Sequence, residues 1–73
     1  MCTFIFRYAS GEQHTFEHIK RVEYVRASHV TVNEQELLTH NFPTKFDLHL
    51  FADNSNFTVN CSNLMYLEVK GEA

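Results

Sequence analysis

Five histidines and two cysteines are the side chains of this chain that could hold a metal or move a proton, and their spacing decides between those roles. In HTFEH, His14 and His18 stand four residues apart, where two imidazoles converge on one zinc if the segment is helical. The alternation around them argues for a strand. On a strand the two rings lie about 13 Å apart, at ~3.3 Å per residue, too far to share one ion. Cys2 and Cys61 supply no paired C-x-x-C ligand set, so a small metal-binding protein ranks below a protein that binds none.

Acid–base chemistry has one candidate. Asp47 and His49 share a strand face with one residue between them, an arrangement in which a carboxylate tunes an imidazole as a base. No nucleophile or oxyanion donor is fixed beside them, and a surface salt link explains the pair as well. Cys61 closes an apolar strand face, where a lone cysteine is ordinarily a core residue. A Cys2–Cys61 bridge is the alternative to two reduced thiols. Gly11 and Gly71 are the only glycines, and neither sits between a strand and a helix, which excludes a phosphate-cradling loop. The expectation is a protein that is not an enzyme and carries no cofactor.

Two segments have the make-up of binding surfaces. HIKRVEYVRASH interleaves Lys20, Arg21 and Arg26 with Tyr24, the mixture a single-stranded nucleic-acid binder uses for backbone charge and base stacking. Glu17 and Glu23 weaken its field, and Tyr24 shares a face with Val22, which turns the ring inward if that face is the core. LTHNFPTKFDLHLF, residues 38–51, contains Phe42, Phe46, Phe51, His40 and His49. Seven Phe and three Tyr are hard to hide in one small domain, so some rings should lie outside, where aromatic side chains mark interfaces. Phe42, His49, Phe51 and Tyr66 are the candidate partner-binding residues. An ordinary scatter of exposed apolar groups is the plainer account of the same residues.

The elements that must position these side chains repeat with period two. In CTFIFRY, Cys2, Phe4, Phe6 and Tyr8 share one face, and ASGEQ supplies turn chemistry before HTFEH returns. KRVEYVR sets Val22 and Tyr24 against Arg21 and Glu23, and HVTV sets Val30 and Val32 against His29 and Thr31. NEQELLTH reads as a turn followed by a strand over Leu37–His40, with one short helical turn near residues 34–40 as the fallback, since Asn33 and Glu36 fit a capping box. KFDLHLF predicts a core strand with Phe46, Leu48 and Leu50 inward; ADNSN is a polar turn, and FTVNC and LMYLEVK are further strands. LMYLEVK also resembles IKRVEYV at an offset of 45, which suggests a repeated hairpin-plus-strand unit.

The expected fold is therefore all-β, one domain over residues 1–73, a small barrel or two-sheet roll of about six or seven antiparallel strands. Net charge is −3 with pI near 5.9, which disfavours general nucleic-acid binding. Residues 1–32 carry four basic and three acidic side chains, and residues 33–73 carry two and six. No stretch reads as a leader or a membrane span, which points to the cytoplasm and to reduced cysteines. The function expected is a non-catalytic adaptor or inhibitor that meets an unidentified protein, or a second copy of itself as a homodimer, with the basic segment at 18–29 as the nucleic-acid alternative.

Overall fold

The structure, a computed structural model, describes residues 1–72. Among these, seven strands form two antiparallel sheets: β1 (Cys2–Tyr8), β2 (Gln13–Ile19), β3 (Arg21–Arg26), β4 (Ser28–Val32), β5 (Leu48–Phe51), β6 (Asn56–Val59) and β7 (Leu64–Gly71). The first sheet has the order β2-β1-β7 and the second β4-β3-β5-β6. The period-two faces become the core: Phe4 and Phe6 from β1 meet Val22, Tyr24, Leu48 and Leu50 from the second sheet, all buried. The all-β domain is as the alternation predicts, but it is a two-sheet roll and not a closed barrel, because β2 and β6 are each paired on one side only.

Two local expectations are corrected. Leu37–His40 is not a strand; Glu34–Glu36 forms a single 3-10 turn, entered from Asn33, whose N–H donates to Glu36 Oε1 at 3.4 Å. Leu37 leaves this turn fully buried, so core contact rather than strand pairing uses the apolar residue. Phe46 is 39% exposed, and β5 begins only at Leu48, after the bend that follows Pro43. Cys2 and Cys61 are both buried free thiols, as expected, and the alternative bridge is not formed.

The segment from Asn33 to Phe46 acts as a plug on one side of the roll. Leu37, Leu38 and Phe42 line, together with Leu67 and Val69 of β7, a cavity of about 330 Å³, and His40 Nε2 hydrogen-bonds the hydroxyl of Tyr24 on the other sheet at 2.8 Å. Phe42 meets Phe4 edge-on at 5.5 Å between centroids, and His40 meets Phe42 in the same way at 4.8 Å.

The repeat suggested by the sequence is carried by the topology. In the first sheet β1 lies between its hairpin partner β2 and the distant β7; in the second, β5 lies between its hairpin partner β6 and the distant β3. Each hairpin thus receives its third strand from the other half of the chain. Register agrees: Leu67 faces Phe6 and Phe6 faces His14, just as Val22 faces Leu50 and Leu50 faces Phe57. The corners where the chain changes sheet agree as well, with His18 at φ 61° and Asn63 at φ 62°, separated by the same offset as the two matching strands.

Candidate functional site

The exchange of halves brings β2 and β6 to a common seam, and the seam is closed at one end only. Phe16 and Phe57 meet across it with ring centroids 4.9 Å apart. By the register above, the counterpart of that contact is Val59 with His14, and there the strands part around a cavity of about 730 Å³. This volume falls within the range of about 300–1,000 Å³ usual for ligand pockets.

Two turns hold the cavity open. After β1 the chain reverses at Gly11, whose φ of 98° suits glycine, with the Gly11 N–H donating to the Tyr8 carbonyl and the Tyr8 N–H donating to the Glu12 carbonyl, each at 2.9 Å. Before β7, Asn63 takes its left-handed conformation, and its carbonyl accepts the Ala9 N–H at 2.8 Å, which ties the two turns together. Glu12 and His14 are thereby set on one side of the cavity, and Asn60, Ser62 and Asn63 on the other.

The side chains define the chemistry. Phe16 and Val59 give an apolar floor. The Tyr8 hydroxyl donates to the Asn60 carbonyl at 2.8 Å, and burial, followed by the Cys61 and Glu12 acids, raises its phenol above the ordinary value, so it remains a donor. His14 Nε2 lies 3.4 Å from Glu12 Oε2, and its ring stands edge-on to Tyr8 at 5.8 Å. Glu12 is the one acidic side chain among the lining residues, and no lysine or arginine is among them. The arrangement can hold neutral or cationic groups between apolar and hydrogen-bonding surfaces, and it gives an anion no counter-charge.

The residues singled out from sequence lie elsewhere and apart. His49 and Phe51 share the outer face of the second sheet, where His49 Nδ1 is 3.1 Å from Thr58 Oγ1 and the Arg21 guanidinium lies 4.2 Å from the centre of the Phe51 ring. Tyr66 is exposed on β7 of the first sheet, paired opposite Arg7 of β1, and Phe42 belongs to the plug. The four do not form one surface. In the basic segment, Lys20 pairs with Asp53 at 2.6 Å and Arg21 with Glu23 at 2.7 Å; Arg26 is exposed. Tyr24 is only 4% exposed, so its ring cannot stack on a base.

His14 and His18 have separate neighbourhoods, the first at the cavity and the second bound to Glu72 at the β2–β3 corner. Among the described residues no group of three or more His, Cys, Asp or Glu side chains is placed to hold a metal ion. Burial pushes the Cys61 thiol up to about 11, which keeps it protonated at neutral pH. Among the described residues no helix is long and apolar enough to cross a membrane.

In comparisons with known proteins, no family model matches the chain, nor does any curated protein or solved structure. The sequence does not single out Tyr8, Glu12 or Phe16 as site residues, and it offers His14 as one half of a metal-ligand spacing or as a base beside Cys61. The one sequence signal for them is β2 itself: QHTFEHI carries a single aromatic and, at its end, one isoleucine on an otherwise polar strand, too little apolar surface for a strand covered on both sides.

Proposed function

We propose that this protein is a non-catalytic binding module, an adaptor or inhibitor, that takes up an extended segment of a partner protein in the opening between β2 and β6. The observation that carries the reading is the contrast between the two sides of the roll. One side is occupied by residues 33–46, which leave only a smaller cavity of about 330 Å³ beside β7, whereas the other presents two singly paired strands around an aromatic-floored cavity of about 730 Å³. A free strand edge offers unpaired backbone donors and acceptors, which an extended peptide satisfies by strand addition while its side chains enter the adjoining pocket. Cytoplasmic placement is part of the proposal, supported by the two unpaired buried thiols.

The neutralised Lys20 and Arg21 and the buried Tyr24 weigh against the nucleic-acid alternative. The test is selection of displayed random peptides on the immobilised protein, followed by binding to His14→Trp, which fills the cavity from an exposed position. Selected peptides should lose at least about tenfold in affinity to a variant whose thermal midpoint is unchanged. Equal binding to both proteins, or no enrichment, overturns the reading. Enrichment of a sequence matching a strand of this chain would identify a second copy as the partner.

A further inference from the structure

We infer that the segment taken up between β2 and β6 is basic, with an apolar residue seated on Phe16 and Val59 and a lysine or arginine two residues further on that reaches Glu12. This rests on the proposed strand addition and specifies its chemistry. Charge complementarity carries it: Glu12 is the one acidic lining side chain, and the lining contains no lysine or arginine to receive an acidic residue. A segment with aspartate or glutamate at that place would set like charges together at the mouth of the cavity.

The spacing comes from the strand period. His14 and Phe16 are alternate residues of β2 and both line the cavity, so side chains of an added strand enter it at alternate positions. The position opposite Phe16 meets the apolar floor. The next inward position, opposite His14, lies two residues along from Glu12 at the turn, a distance that the long stem of lysine or arginine spans while its methylenes cover Tyr8. The floor accepts an aromatic or branched side chain because Phe16 already packs edge-on against Phe6 at 5.7 Å and cannot collapse into the space itself.

The probes are two short fluorescent peptides of alternating threonine and valine with a central phenylalanine, one with lysine and one with glutamate two residues later. The lysine peptide should bind about fivefold more tightly, the scale of a partly exposed ion pair, and shift the backbone NMR signals of residues 12–16 and 58–60. The preference should vanish in Glu12→Gln, an exposed substitution. Equal affinities, or preference for the glutamate peptide, overturn the basic specificity while leaving strand addition in place. If neither peptide binds although library selection yields others, the specificity falls and the module stands; if selection also yields none, both fall.

Discussion

Glu72 shows how one carboxylate can fasten two parts of the chain. It accepts the His18 backbone N–H at 2.7 Å and the Thr3 hydroxyl at 2.9 Å, and its other oxygen lies 2.9 Å from His18 Nδ1. These bonds, the His18 N–H foremost, hold its carboxyl down to about 2, against an ordinary value of 4.5. A lowered folded-state value contributes stability that is complete above the unfolded value and is lost as pH falls from about 4.5 toward 2. Glu72→Gln should therefore flatten the fall in thermal midpoint between pH 5 and pH 2.5 relative to the parent protein; parallel curves would deny the carboxylate this role. Ala27 is the opposite case, a strained residue with φ 62° at the β3–β4 turn. Relief of left-handed strain outweighs the extra entropy of an unfolded glycine, so Ala27→Gly should stabilise by ~0.5–1 kcal/mol, read as a rise of several degrees in thermal midpoint. Neither feature is legible in the sequence, because Glu72 and His18 are brought together only by the sheets and nothing in VRASH marks alanine as left-handed.

At the scale of elements, the strands with one apolar face are legible and the plug is not. Phe4, Phe6, Val22, Tyr24, Leu48 and Leu50 announce their strands by period two because every second residue is buried. Leu37 and Leu38 carry no period, and their roles differ through tertiary contact alone: Leu37 is fully buried and Leu38 is 59% exposed. Leu37→Ala should cost ~2–4 kcal/mol, a large share of the roughly 4–11 kcal/mol expected for a domain of this size, whereas Leu38→Ser should stay within about 0.5 kcal/mol. Urea unfolding of both variants checks the contrast, and similar losses would place the plug wrongly. The candidate site was illegible for a related reason. β2 and β6 are remote in sequence, and their shared opening exists only because each half of the chain gives its third strand to the other.

That exchange governs the whole molecule. Residues 1–32 contain the β1–β2 hairpin and β3 with its neighbour β4; β3 pairs with β5 of the other half, while β7 in turn pairs with β1. The connection between the halves is then a covalent convenience to the sheets, and its plug residues can contribute from either side of a break. The first and last described residues are already adjacent, since the Glu72 N–H donates to the Met1 carbonyl at 3.1 Å. Joining the C-terminus to Met1 by a short flexible linker and opening the chain between Thr44 and Lys45, both exposed, keeps every strand pair and leaves Leu37, His40 and Phe42 attached to β4. This permutant should unfold in one cooperative transition with a stability within about 2 kcal/mol of the parent, because only the closure of one surface loop is exchanged for another. Opening the same circle at Gly11 should cost more, since it cuts the tight turn that sets β2 against β1 and holds the mouth of the cavity. Equal losses at the two openings would mean that the hairpin-plus-strand halves are not folding units, and that the matching corners at His18 and Asn63 reflect only the geometry of strands changing sheets.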